Sequence, residues 1–407
     1  MNTHPVCILG LGIDFRDLPP SVLGCIEQSD LLVGGQRILD HFPDTAALKM
    51  AIKAPLDKVV ADLIRARDQG QKVTVLADGD PLFFGIGRRL VRELGPDRVE
   101  VHPGVTVLQE AASRLKTPWE GISTVSLHGR SAILPLLQTI SRSELTGVFT
   151  DQTWTPAVIA QALIESGARD FRMHVFETLN SDQERVQELE LHEAVRHESR
   201  SPNFVILRRT REPDVTLRLG TPDESFVHQQ GLITKKEIRV LGLSTLEISK
   251  GSTVWDIGAG CGSVALEASL LAGHGQVLAV EEDPVRADQI RQNRARTGAF
   301  AVQVVNRPAP DCFASLPQPD RIFIGGGMGS NPHLMDEALG CLQIAGRLVA
   351  HFTLMGSLQA GMDTARRHDR PFEVTQVMIS RSRPLGRDIR LDPLNPIFIL
   401  SVGPKAS

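Results

Sequence analysis

Tyrosine is absent from the 407 residues, and aromatic residues in all make up only 4% of them. No phenol is available as acid, base or stacking platform, and the interleaving of basic and aromatic side chains expected of an RNA-binding surface is missing. Cysteine is scarce as well. Cys7, Cys25, Cys261, Cys312 and Cys341 are scattered, odd in number and show no CxxC pair. That argues against a disulfide framework and a structural zinc site, and it suits a reducing compartment such as the cytoplasm. There is no excess of positive charge: the formal net charge is −4 and the isoelectric point about 6.3, against the basic footprint of a general nucleic-acid binder. No apolar run reaches the length of a membrane span. The first residues, MNTHPVCILGLGID, lack the basic region that precedes the apolar core of a signal peptide.

What is present is an alternation of strands and helices in a chain long enough for two domains. In the first half, PVCILGLG (5–12), KVTVLADGDP (72–81), RVEVHPG (98–104), TVSLHGR (124–130), GVFTDQ (147–152) and NFVILRR (203–209) are apolar runs. Most break into Gly, Asp, Pro or His, as buried strands do at the edge of a sheet that carries ligands. Residues 211–226 hold carboxylates and two prolines without a helical period and read as a linker. The expected domains are 1–210 and 227–407. A helix over 234–246 opens the second, followed by strands at 252–262, 275–283, 301–307, 320–327 and 346–352. Segments 373–381 and 395–403 form a closing antiparallel pair.

The most informative segment is VWDIGAGCG (254–262). A strand runs into Asp256, glycines follow at alternate positions, and a helix begins. The spacing is GxGxG rather than the GxGxxG of dinucleotide sites. Such a turn lets backbone N–H groups and a helix N-terminus approach an anionic group closely, here the carboxylate of S-adenosylmethionine. Glu281 ends the next strand, nineteen residues after Gly262, where an acidic side chain accepts the ribose hydroxyls. Pro308-Ala309-Pro310 follows the third strand and walls the adenine.

With GLITKKEIRVL (231–241), FIGGG (323–327) and LDPLNPIFIL (391–400), this segment resembles the decarboxylating precorrin methyltransferases of cobalamin biosynthesis over residues 228–403. The resemblance implies a Rossmann-like class I methyltransferase domain in which Thr234, Gly258, Ala259, Gly260, Cys261, Gly262, Glu281 and Ala309 line the cofactor. The first half resembles the tetrapyrrole methylases over residues 4–210. Gly10-Leu11-Gly12 closes the first strand, Gly79-Asp80-Pro81 opens a GDP-type loop, and Pro103-Gly104-Val105-Thr106 begins a helix. Ser126–Arg130, Thr150-Asp151, Thr155-Pro156 and Glu177–Asn180 narrow the likeness to the branch that methylates carbon 5. A bilobal α/β domain is implied, with Gly10, Gly79, Asp80, Phe83, Gly85, Val105 and Thr106 at the cofactor. Asp80 also suits a purely local role, capping the turn that follows it.

Taken together, the resemblances imply methylation of precorrin-6B at carbons 5 and 15, with loss of the ring C acetate carboxylate, to give precorrin-8. One S-adenosylmethionine serves each domain, no metal is needed, and the enzyme is expected to be a homo-oligomer, as both families usually are. The meso carbons of a reduced tetrapyrrole are enamine-like nucleophiles and the sulfonium methyl is a strong electrophile, so alignment is the enzyme's main task. The protonated macrocycle can receive the electrons released by decarboxylation. A polycarboxylate substrate calls for basic residues. His128 and Arg130 are the first-half candidates, and Arg383 and Arg387 those of the second. His351, at a strand end, is a candidate proton carrier. The alternatives are a cobalt-containing substrate, an RNA methyltransferase, and a binding module in which one half has lost catalysis.

Overall fold

The computed structural model describes residues 4–15, 18–53, 55–229, 231–326, 331 and 333–405. The chain divides into two compact units. One comprises residues 1–131, 144–160 and 172–208; the other comprises 132–143, 161–171 and 209–407. No described helix is long and apolar enough to cross a membrane.

The first unit holds two five-stranded sheets. One contains β1 (Val6–Gly10), β2 (Leu31–Gly34), β3 (Leu48–Ala51), β4 (Val73–Ala77) and β5 (Val99–His102), in the order β3-β2-β4-β1-β5. All of its pairings are parallel. β1 and β4 lie inside it with helices on both faces, so they read as unbroken apolar runs, VCILG and VTVLA. The second sheet contains β6 (Ser123–Ser126), β7 (Leu145–Phe149), β8 (Phe171–Glu177), β9 (Arg185–Glu190) and β10 (Asn203–Arg209), in the order β6-β7-β10-β8-β9. β6 and β7 run parallel, whereas β7–β10 and β8–β9 are antiparallel. Four strands of this unit, β2, β3, β8 and β9, are additions to the expected set. β2 and β3 have only four residues each and β9 is mostly polar and half exposed, so length or polarity hides these three, whereas β8, FRMHVFE, is a buried and mostly apolar run that carries a strand signal.

The second unit is built on a seven-stranded sheet. Its strands are β11 (Thr253–Ile257), β12 (Gln276–Val280), β13 (Val302–Val305), β14 (Arg321–Ile324), β15 (Arg347–Phe352), β16 (Phe372–Val377) and, beyond a hairpin, β19 (Ile397–Val402). The order is β13-β12-β11-β14-β15-β19-β16. The expected closing pair is present, with β16 and β19 antiparallel from Phe372↔Val402 to Val377↔Ile397. One apolar cluster, around Trp255, Phe313, Leu334 and Leu348, covers one face; another, around Leu266, Ile290, Phe323 and Ile399, covers the other. The hairpin consists of β17 (Ser380–Leu385) and β18 (Asp388–Pro393) and was not foreseen, because the run Arg381–Arg390 reads as a basic loop.

The segment expected as a linker is partly a structural element of the second unit. Thr221, Asp223 and Phe226 are buried. The reason is a fully buried ion pair. Arg239 donates from Nε to Glu267 at 2.8 Å and from Nη1 to the Thr234 carbonyl at 2.6 Å, and it also reaches Asp223 and the Thr221 carbonyl. Glu267 in turn accepts from the N–H groups of Gly220 and Thr221 at 2.9 and 3.0 Å. A buried guanidinium and carboxylate must be fully bonded to be tolerated, and the chain around 220–223 supplies the missing partners.

Candidate functional site

In the second unit the chain runs from β11 outward through β12 and β13, then returns to β14 on the other side of β11. This reversal leaves a crevice at the carboxyl ends of β11 and β14, where open α/β sheets hold ligands. A cavity of ≈ 700 Å³ lies there. Its wall includes Thr234, Gly258, Ala259, Gly260, Cys261, Gly325, Gly326, His351, Leu354, Ile379, Leu394 and Asn395.

The glycine turn is shaped by its backbone. Gly258, Gly260 and Gly262 have φ of 68°, 58° and 82°, in the left-handed region that side chains rarely adopt. A Cβ on Gly258 would stand 3.0 Å from the Gly326 carbonyl oxygen, so the turns after β11 and β14 meet backbone to backbone. Gly262 caps the helix Ser263–Ala272, whose free N–H groups and positive pole face the same end of the sheet. Two buried side chains hold this turn. Asn293 donates to the carbonyls of Cys261 and Val227 at 3.0 and 2.8 Å, and Asp256 accepts from the Ala265 N–H at 2.9 Å. Burial pushes the Asp256 carboxyl up to about 7.

Glu281 is buried and braces the turn instead of lining the open cavity. Its Oε2 accepts from the Gly260 N–H at 2.8 Å, and its Oε1 accepts from Asp283 N–H at 3.0 Å and pairs with Arg286 at 3.0 Å. Oε1 already has two donors, whereas Oε2 keeps a second lone pair, so this bracing is compatible with accepting a hydroxyl at Oε2. Asp283 caps the following helix through Val285 and Arg286, which brings Arg286 to the cavity wall. The sequence EEDPVR carries that signal, an Asp N-cap followed by Pro at the first helical position. Changing Glu281→Gln removes one acceptor from a pair of charge-assisted bonds worth about 1.5–3 kcal/mol. Affinity of the second unit for S-adenosylhomocysteine should fall about tenfold or more in a calorimetric titration. Unchanged affinity would mean that the turn keeps its shape without Glu281.

Of the other predicted positions in this unit, Thr234 lines the cavity, and its carbonyl is held by Arg239. Gly262 and Ala309 stand outside the wall; Ala309 packs against the apolar cluster around Trp255. Gly327, the last residue of FIGGG, lies outside the described residues. Arg383 and Arg387 stand on the exposed hairpin, away from the cavity wall, and Arg383 pairs with Asp392 at 3.0 Å. The cavity's apolar side, Leu354, Ile379 and Leu394, and its polar Asn395 come from loops whose sequence carries no period.

His351 forms part of the wall, edge-on to Phe323 with ring centroids 4.7 Å apart. Its Nε2 is shut off from solvent and has no partner among the described residues; a Cβ on Gly242 would lie 2.6 Å from it, so this nitrogen faces the helix Lys236–Thr245. Burial lowers its pKa to about 4, so the ring is neutral at pH 7. The unfolded chain takes up a proton near pH 6.5 that the folded chain refuses until about pH 4. Stability is therefore lost as pH falls through that window, by about 3 kcal/mol in total. In denaturant titrations between pH 7 and 4, the advantage of the natural protein over His351→Leu should shrink as pH falls. The raised Asp256 acts in the opposite direction but is common to both proteins. A constant difference would show that His351 does not titrate in this way.

In the first unit three turns converge. Gly79 N–H donates to the Gly12 carbonyl at 2.8 Å. A Cβ on Gly10 would lie 2.5 Å from Gly104 N and 2.7 Å from Gly79 O. Asp80 Oδ1 accepts from Leu82 N–H at 2.8 Å, which is the local capping role. Phe83 packs into the cluster of Phe149, Phe176 and Phe204, and Gly85 is required where a Cβ would meet the Pro81 carbonyl at 2.6 Å. Thr106 caps the helix Val107–Leu115 in a reciprocal pair with Gln109, while Val105 beside it is exposed. His128 and Arg130 are exposed on the turn after β6, where Gly129 N–H is held by Asp151 at 2.8 Å. Backbone N–H groups of Trp154 and Gly129 hold the Asp151 carboxyl below its usual range.

Comparison with known proteins matches two separate stretches of the chain. Residues 5–195 match the family model of tetrapyrrole (corrin/porphyrin) methylases, and residues 224–403 that of the precorrin methyltransferase domain. A precorrin-6Y C(5,15)-methyltransferase [decarboxylating] from Sinorhizobium sp is 32% identical, with 96% of this chain and 94% of that protein covered. A probable cobalt-precorrin-6B C(15)-methyltransferase (decarboxylating) from Pyrobaculum aerophilum is 36% identical, covering 45% of this chain and 94% of that protein. Among solved structures, precorrin-6Y C5,15-methyltransferase from Geobacter metallireducens GS-15 shows 32% identity and a TM-score of 0.44, covering 46% of this chain and 97% of that one.

Proposed function

The chain belongs to the family of decarboxylating precorrin-6Y C5,15-methyltransferases, and on that premise we propose that its two units divide the reaction, each with its own S-adenosylmethionine. The enzyme methylates precorrin-6B at carbons 5 and 15 and removes the ring C acetate carboxylate, a step of cobalamin biosynthesis. In this reading the region 1–210 methylates carbon 5, and 227–407, which follows it in the chain after the 211–226 segment, methylates carbon 15 and decarboxylates. The observation that supports it is the pair of separate glycine cradles, one around Gly10, Gly79 and Gly104, the other around Gly258 to Gly262.

S-adenosylmethionine supplies an electrophilic methyl group when bound. The residues of this chain position it. The Gly258–Gly262 turn and the N-terminus of Ser263–Ala272 offer N–H groups and a positive pole to its carboxylate, and Glu281 fixes that turn from behind. Leu354, Ile379 and Leu394 give the macrocycle an apolar wall that keeps water from the reacting carbon. His351 contributes a neutral ring to the wall, with its free nitrogen turned toward Gly242. No acid or base of the chain has to act on the nucleophile, because the macrocycle carbon is already electron-rich; alignment supplies the acceleration.

Decarboxylation is assigned to the second unit because carbon 15 and the ring C acetate are neighbours on the macrocycle and fit one cavity. The Pyrobaculum relative, matched over this half alone, has about the length of the half and bears the decarboxylating name. Residues 211–407, given metal-free precorrin-6B and S-adenosylmethionine, should yield a product heavier by one methyl and lighter by one carbon dioxide. Full-length protein should bind two S-adenosylhomocysteine molecules. A fragment that only methylates, or a stoichiometry of one, would overturn the division.

A further inference from the structure

The first sheet carries a cluster of metal-ligating groups away from its glycine turns. Pairing of β1 with β5 sets Cys7 opposite Glu100 and Leu9 opposite His102. Side chains alternate along a strand, so Cys7, Leu9, Glu100 and His102 share one face of the sheet. The helix Pro20–Glu27 packs on that face and brings Cys25 to the same apolar cluster as Cys7. The two sulfurs and a ring nitrogen of His102 lie within 4.8 Å of one another. All three residues are half-buried, which leaves a path from solvent.

Zinc bonds to sulfur and imidazole nitrogen are about 2.0–2.3 Å long, which sets tetrahedral ligand atoms about 3.5 Å apart. The observed cluster, within 4.8 Å, stands close to that spacing. Glu100 Oε1 stands 3.1 Å from His102 Nε2, the kind of contact by which a carboxylate orients a metal-bound imidazole. Two thiols and an imidazole suit a borderline-soft divalent ion better than calcium or magnesium, which take oxygen. Three protein ligands leave a fourth position for water.

The geometry points to a zinc site formed by Cys7, Cys25 and His102, with Glu100 orienting the imidazole. Binding replaces the two thiol protons by one Zn²⁺ and releases both protons to solvent. The ion would tie the edge strand β5 and the helix Pro20–Glu27 to β1. Cys7 lies three residues before Gly10 and His102 two before Gly104, so the ion would pin the strands that deliver two of the three converging turns. The ligands are separated by 18 and 77 positions, which is why no CxxC spacing announces them.

The test uses full-length, tag-free protein kept reduced with a phosphine. Titration with Zn²⁺ against a chromogenic chelator should give one tight site per chain and raise the thermal midpoint of unfolding. Co²⁺ in its place should produce thiolate-to-cobalt charge-transfer absorption. Cys25→Ser should weaken zinc at least tenfold and diminish that band, and His102→Gln should weaken zinc while keeping the band. Circular dichroism and S-adenosylhomocysteine binding show that the variants remain folded. Failure to bind zinc, binding that Cys7→Ser and Cys25→Ser leave unchanged, or a Cys7–Cys25 disulfide forming in protein that takes no metal would each overturn the site.

Discussion

Gly258→Val is expected to abolish methylation at carbon 15 together with release of carbon dioxide, and to leave a product methylated at carbon 5 only. Two costs combine at this position. A β-branched residue is held at φ 68°, where the left-handed backbone costs L-residues roughly 1–2 kcal/mol. Its Cβ also meets the backbone of Gly326, with the carbonyl oxygen at 3.0 Å, the carbonyl carbon at 3.1 Å and the nitrogen at 3.2 Å. Backbone cannot rotate aside as a flexible side chain does, so the turns after β11 and β14 must separate. Both form the wall of the cavity. A combined cost of about 3 kcal/mol corresponds to about a hundredfold loss of cofactor affinity in this unit. Calorimetry should then detect one S-adenosylhomocysteine per chain instead of two, and product mass should show one added methyl and no lost carbon dioxide. Gly260→Val is the weaker variant: its φ is strained as well, but a Cβ there meets nothing within 4 Å. Normal carbon-15 methylation by Gly258→Val would remove the glycine turn from the site.

Gly104→Ala is the counterpart in the first unit, and it depends on contact alone. An added Cβ would lie 2.4 Å from the Gly79 carbonyl oxygen, 2.7 Å from Gly12 N and 2.8 Å from the Gly10 carbonyl carbon. All three are backbone atoms of the other two turns. Overpacking of this kind costs roughly 1–3 kcal/mol, and here the strain falls on the turns themselves. The expected product lacks the carbon-5 methyl but is still decarboxylated and methylated at carbon 15. Mass measurement of the product checks this. Retention of both methyl groups would show that the three turns tolerate separation and are not the cofactor cradle of that unit.

The two variants also separate what the sequence made legible from what it did not. The glycine turn 258–262 and its acidic follower Glu281 could be read directly, because strand, turn and helix are local and each glycine is needed where it stands. The parallel strands β1, β4, β11 and β12 were legible for a related reason: burial on both faces demands an unbroken apolar run. Helix capping at Thr106 and Asp283 is likewise written within four residues.

Partners distant in sequence were not legible. Glu281 was read as a ribose acceptor, and only the fold shows that it holds Gly260 from behind through a hydrogen bond spanning 21 residues. Residues 211–226 looked like a linker because their polarity is local, while the buried Arg239–Glu267 pair that captures residues 220–223 is assembled by two helices, Lys236–Thr245 and Ser263–Ala272. The basic run at 381–390 suggested a pocket, but hairpin pairing carries Arg383 into solvent. Composition, period and turn chemistry determined that this chain has two α/β halves, each with a glycine cradle. Which side chains brace those cradles, which line the cavity, and that Cys7, Cys25 and His102 meet on one face was decided by tertiary structure, because sheet order and strand register bring together residues whose spacing along the chain carries no trace of it.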